Sequence, residues 1–195
     1  MPRFSRTALT CLLSALLAAG TYAAPVTLAD VKYADSMKLQ DSALQLNGAG
    51  IRYKAIFKVY TAGLYLEKKA STPAEVFALA GPKRLSITML REIDSTELGK
   101  LFSRGMEDNM DRASFSKLIP GVLRMSQIFS DHKKLEAGDS FMIDWVPGKG
   151  TIITVKGVVQ GEPFKEPAFF NALLGIWLGN KPADWKLKDA LLGKD

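Results

Sequence analysis

Apolar and polar positions alternate along several short runs of this chain and recur at helical spacing along others. From Ser42 to Gly48, Leu44 and Leu46 alternate with polar neighbours, which predicts a half-buried strand. Asn47-Gly48-Ala49-Gly50 reads as a turn, because Asn and Gly tolerate positive φ. A long strand is predicted from Ile51 to about Thr61, and Gly63 to Glu67 continues or re-pairs it. Along that strand Ile51, Tyr53, Ala55, Phe57 and Val59 form the more apolar face, expected to meet the core. Arg52, Lys54, Ile56, Lys58 and Tyr60 form the other face, expected to line a cleft with a cationic end or to face water.

The remaining segments follow the same logic. Ala24 to Asp41 is mixed and predicts an arm or edge strand. Thr72-Pro73-Ala74-Glu75 opens a short helix to about Ala80, with Thr72 as cap, Pro73 at the first helical position and Glu75 closing a capping box. Leu85, Ile87 and Met89 alternate in a strand from Arg84 to Leu90. Asp94-Ser95-Thr96-Glu97 caps a longer helix carrying Leu98, Leu101, Phe102, Met106 and Met110. A second helical segment runs from Phe115 to Phe129, with Pro120 predicting a break or kink. Ser140 to Val146 and Thr151 to Lys156 predict a hairpin, and Val158 to Phe164 one more short strand. From Glu166-Pro167 to Gly179 the helix is apolar nearly all round, which predicts burial. Asp184 to Leu192 gives a last amphipathic helix. Strands, helices, strands and helices in that order, without repeat or linker, predict an α+β fold with helices layered on one face of an antiparallel sheet.

The first residues change the picture of where the protein acts. Arg3 and Arg6 precede an apolar run from Ala8 to Ala19, and Thr21-Tyr22-Ala23 offers the small residues that a signal peptidase reads. Residues 1–23 are therefore expected to be a signal peptide, cleaved after about Ala23, with residues 24–195 as one domain. Cys11 goes with the signal, so no disulfide or thiolate site is expected beyond it. The formal charge of +6 includes the two signal arginines and accompanies no basic run with interleaved aromatics. Nucleic acid is thus not an expected partner, whereas a weak attraction to anionic lipid or ligand remains.

Familiar catalytic motifs are missing: no phosphate-binding glycine loop, no His-Glu-x-x-His and no Gly-x-Ser-x-Gly occurs. The single histidine, His132, lies among charged residues and has no second metal or haem ligand in the pattern, so neither metal nor cofactor is expected. Candidate chemistry rests on Arg52, on Tyr60 at even spacing from it, and on the helix holding Phe102, Met106 and Asn109. Asn109 falls seven residues after Phe102, near its apolar face, and needs a partner if buried. It reads as a satisfied or solvent-facing amide, or as one that faces a ligand.

Three blocks carry a resemblance: Asn47-Gly48-Ala49-Gly50-Ile51-Arg52 with Phe57 to Leu66, Phe102 to Asn109, and Phe169 to Gly179 with Leu187 to Gly193. There the chain resembles the chalcone isomerase fold family, in its exported bacterial branch. The resemblance implies an open-faced β-sandwich, a large antiparallel sheet covered by helices, with an apolar cleft between them. Plant enzymes of the family close a chalcone onto its enone to give a flavanone. Matched onto them, Arg52 takes the place of their anion-stabilising Arg and Asn109 that of their Asn. Tyr60 stands for the first Thr, Phe102 for the catalytic Tyr, and Ile176, loosely, for the second Thr or Ser. Losing one positioned donor typically costs roughly 2.7–4 kcal/mol of barrier, so two such losses leave little catalysis.

The resemblance therefore implies a non-catalytic periplasmic binding protein for an apolar or amphipathic anionic molecule, such as a fatty acid. Arg52 would hold the anion, Tyr60 and Asn109 would add hydrogen bonds, and Phe102, Met106 and Ile176 would line the apolar part. The alternatives are an isomerase or lyase of altered substrate using Arg52, Tyr60 and Asn109, and an envelope protein-interaction factor with a filled core. Haem binding ranks behind these.

Overall fold

The computed structural model of the chain describes residues 25–194; the expected signal segment with Cys11 lies outside them. In chain order the elements are β1 (Val26–Leu28), β2 (Val31–Tyr33), β3 (Ser36–Leu39), β4 (Ser42–Lys54), β5 (Phe57–Leu66), α1 (Pro73–Ala78), β6 (Lys83–Met89), β7 (Ile93–Asp94), α2 (Ser95–Asp108), α3 (Arg112–Ser130), β8 (Lys134–Leu135), β9 (Ser140–Val146), β10 (Gly150–Val155), β11 (Val158–Val159), α4 (Pro167–Leu178) and α5 (Trp185–Leu191). A seven-stranded antiparallel sheet runs in the order β11-β10-β9-β6-β5-β4-β3.

The register builds one apolar wall. Tyr60, Ala62 and Leu64 of β5 stand opposite Met89, Ile87 and Leu85 of β6, and those last two stand opposite Phe141 and Ile143 of β9. Side chains alternate between faces, so all of these point the same way. The helices cover that face, and α4 supplies Phe169, Phe170, Leu173, Leu174 and Trp177 to a single core with it. The all-round apolar pattern of α4 is explained by this seat. On the opposite face Tyr33 of the β1–β2 hairpin lies over Gly63, and its hydroxyl donates to Thr61 Oγ1 at 2.7 Å. Beside it Arg84 binds Asp144 through both oxygens at 2.6 Å. The predicted α+β class and layering hold.

The predicted turn at Asn47–Gly50 does not exist: β4 passes straight through it. Gly48 and Gly50 face the helices, and a Cβ at Gly48 would collide with the Ala190 carbonyl oxygen. These glycines make room for α5 rather than turn the chain. A bulge lies between Leu46 and Gly48. Asn47 there donates Nδ2 to Ala70 O at 2.9 Å and to Leu191 O at 2.7 Å, and accepts from Ala70 N at 2.8 Å.

The reversal comes at Ala55 and Ile56 instead, with Ala55 at φ +54°. β5 pairs with β6 only from Tyr60 onward, so the hairpin end projects past the sheet. Tyr53, Ala55 and Phe57, expected in the core, are therefore exposed. Pro120 does not break α3 either, because it sits on the exposed side, where the carbonyl it frees meets water. The strand expected over Val158 to Phe164 shrinks to β11 and a single bridge from Phe164 to Thr151.

Several carboxylates lock loops and helix starts. The Lys156 ammonium at 2.6 Å, followed by the Glu136 amide at 2.8 Å, holds the Asp139 carboxyl below its usual range. The Ser71 and Thr72 amides do the same for Glu75, and the Ser114 hydroxyl followed by its amide does so for Asp111. Because these folded-state values are depressed, their stabilisation is present above the ordinary carboxylate range and is lost as pH falls through it. The urea midpoint is expected to drop as pH is lowered from about 5 to about 3. Asp139→Asn should flatten that acid limb while lowering the midpoint near neutrality.

Candidate functional site

A pocket of about 190 Å³ opens between the sheet and α2 and α4. The sheet contributes Arg52, Val59 and Tyr60, and α2 contributes Leu98, Leu101, Phe102 and Gly105. Ile176 and Trp177 of α4 close it, with Pro182 and Ala183 from the loop that follows. Asp94 caps α2 by accepting from Glu97 N at 2.9 Å. That helix then presents Phe102, whose ring tilts on Phe129 at 5.0 Å and stands edge-on to Trp177 at 5.9 Å between centroids. The polar edge of the pocket holds Arg104, Asp108 and Lys181, all exposed.

Arg52 sits directly across from Tyr60 in the β4–β5 ladder, with Cζ 5.6 Å from the ring centroid. Its Nε is buried without a hydrogen-bond partner. Among the described residues it takes part in no ion pair. The nearby Asp184 is spent on amides: Oδ1 accepts from Lys186 N and Leu187 N, and Oδ2 from Tyr53 N at 2.9 Å. A cation with an orphaned buried donor thus borders an apolar pocket, an arrangement that favours an anionic acceptor.

Tyr60 has a different constraint. Trp177 Nε1 donates to its hydroxyl at 2.8 Å. Burial pushes that phenol up to about 12, against the opposing pull of Arg52 and of the indole N–H. At neutral pH Tyr60 is therefore a hydrogen-bond donor and not a base. Its own proton has no acceptor among the described residues.

Of the residues singled out in the sequence, Arg52, Tyr60, Phe102 and Ile176 line the pocket together. Met106 and Asn109 are not in its lining. Met106 is buried in the core beneath α2. Asn109 at the end of α2 donates Nδ2 to Gly105 O and Lys181 O, each at 2.9 Å, and accepts from Lys181 N at 2.7 Å. Its amide is fully used in tying α2 to the loop after α4, so a ligand would have to displace Lys181 to reach it. Trp177 was not singled out as a site residue, although a buried indole N–H always needs an acceptor. Lys181-Pro182-Ala183 carry no local signal, since the end of α4 delivers them.

A second pocket of about 300 Å³ adjoins the first and shares Arg52, Val59, Ile93 and Leu101 with it. It adds Lys54, Arg91, Glu92, Asp94 and Glu97. His132 is half-buried, and among the described residues no cluster of His, Cys, Asp and Glu could hold a metal ion.

Known proteins match this arrangement in fold. A family model described as chalcone isomerase-like matches residues 25–193. A search of curated proteins finds no match. Among solved structures the chain is similar to the crystal structure of a fatty-acid binding protein of Arabidopsis thaliana, with a TM-score of 0.67 and 16% sequence identity. The alignment covers 87% of this chain and 96% of that one, and at this identity it speaks for the fold alone.

Proposed function

The chain belongs to the chalcone isomerase-like family, and we propose that it is a non-catalytic binding protein for an amphipathic anion of the fatty-acid type. The observation that carries this reading is Arg52, whose buried Nε lacks a partner at the edge of an apolar pocket. A carboxylate there would accept from Arg52 and from the free Tyr60 proton. Its alkyl chain would lie against Phe102, Ile176 and Trp177. The fatty-acid ligand named for the Arabidopsis structure agrees with such a site. At about 190 Å³ the pocket falls below the roughly 300–1,000 Å³ usual for ligand sites. A short or medium chain fits it as it stands, and a longer one would continue into the second pocket past Arg52. The basic, apolar pattern of residues 1–23 supports export to the periplasm.

Calorimetric titration with straight-chain carboxylates and with alcohols of equal length tests the reading. Carboxylates are expected to bind and alcohols to bind far more weakly; equal binding of both, or binding of neither, overturns it. Tyr60→Phe should weaken carboxylate binding roughly tenfold, the usual worth of a hydrogen bond to a charged group.

The isomerase alternative draws on the Arg52–Tyr60 pair, which offers a cation and a proton donor 5.6 Å apart from guanidinium to ring centre. Phe102 and Ile176 supply no hydroxyl beside them. No chalcone turnover above the solution rate is expected. A rate that Tyr60→Phe abolishes would favour the enzyme.

A further inference from the structure

Ile56 is 83% exposed and Phe57 56% exposed at the tip of the β4–β5 hairpin, and Tyr53 beside them is 39% exposed. Neither of the two pockets beside Arg52 is lined by these side chains. Lys54 and Lys58 flank them, and the Arg91 guanidinium lies 5.2 Å from the Phe57 ring centre. Among the described residues none of these cations forms an ion pair. One ladder position behind the tip Tyr53 N is held by Asp184, and the next residue after Asp184 in the chain is Trp185, 61% exposed.

We propose that this hairpin tip docks the protein on the surface of an anionic lipid bilayer, with Ile56 and Phe57 entering the acyl boundary and the cations meeting the headgroups. An apolar tip ringed by Lys and Arg, with Tyr and Trp behind it, is the pattern that interfacial binding favours. A protein partner suits it poorly: a specific interface takes about 800 Å² from each side, and a hairpin tip is too narrow to supply that. A bilayer needs no matching surface. The charge pattern also separates this tip from Val158 and Val159, which are 62% and 58% exposed. The nearby Lys156 there is already bound to Asp139 at 2.6 Å. The geometry adds a consequence for the second pocket. Arg52, Lys54 and Arg91 line it together with the carboxylates of Glu92, Asp94 and Glu97, of which Glu92 is paired with Lys134 at 2.7 Å, so a docked hairpin would bring that mixed-charge pocket close to the lipid. The inference stands on the hairpin alone and survives if the pocket binds nothing.

Sedimentation with lipid vesicles tests it. The full protein is mixed with vesicles of phosphatidylcholine, or of an equal mixture of phosphatidylcholine and phosphatidylglycerol. Binding is expected to the mixed vesicles only and to weaken as salt rises. The double variant I56S/F57S should lose at least roughly tenfold in partitioning, and K54Q/K58Q a similar factor. V158S/V159S should partition like the unmodified protein. All of these positions are exposed, and an unchanged melting temperature checks that each variant folds. Equal binding to neutral vesicles, no binding to the mixed ones, or full binding by I56S/F57S overturns the proposal.

Discussion

Gly48→Ala is expected to lower stability by about 3 kcal/mol, read as a fall in the urea midpoint at unchanged slope. A methyl group there would run into the Ala190 carbonyl oxygen and crowd Leu191 C and Gly193 N at 3.0 Å. All three are backbone atoms and cannot rotate aside. Overpacking typically costs about 1–3 kcal/mol, and a rigid obstacle places this case at the upper end. Relief would require α5 to lift from β4, which also strains the Asn47 bond to Leu191. Gly50→Ala is the comparison. Its new methyl would meet the Ala190 Cβ at 2.7 Å, a lesser overlap than the one at Gly48 though against an atom equally fixed to α5, and the Leu187 Cδ1 at 3.0 Å, which can rotate aside. It should cost clearly less. Equal, small effects at both positions would mean that α5 is not seated against β4 as described.

Arg52→Met is expected to weaken carboxylate binding about 100-fold while leaving the weak binding of the matching alcohol unchanged. Removing one partner of a desolvated charge pair costs about 2–5 kcal/mol, and each 1.4 kcal/mol is tenfold. The lower part of that range applies because Arg52 is only half-buried. The unliganded variant should be as stable as the parent or more so. Met keeps an apolar stem on the strand and removes the buried Nε that has no partner. A purely structural arginine predicts the reverse, a loss of stability with affinity intact. Chemical denaturation and calorimetry on the same sample separate the two.

How far the sequence could be read depended on whether a signal was local. The capping box of α1 was readable because Thr72, Pro73 and Glu75 act on each other within one turn, and both of its hydrogen bonds are present. The burial of α4 was readable because no face of it is polar. The glycines at 48 and 50 read as a turn, since nothing nearby in sequence distinguishes a turn glycine from one that clears space for the distant helix α5. The true reversal at Ala55-Ile56 carries no turn residue at all, and pairing on either side imposes it. At the site, Arg52, Tyr60, Phe102 and Ile176 line one pocket. Asn109 reads as a satisfied or solvent-facing amide, or as a ligand group, because an amide on an apolar stripe needs a partner if buried. Its partner, Lys181, lies 72 residues away and could not be foreseen.

The seat of α4 and α5 on the sheet also sets a timetable. Every strand of the sheet is complete by Val159, yet two of the helices that cover it, α4 and α5, run from Pro167 to Leu191. The hydrogen bond from Asn47 to Leu191 closes a loop of 144 residues. Such distant closures slow folding, and a bare apolar wall attracts other chains while it waits. A nascent chain that has emerged only as far as β11 has α2 and α3 on this wall but lacks the cover that α4 and α5 give it. A chain cut short after β11 is therefore expected to aggregate more readily than the full one.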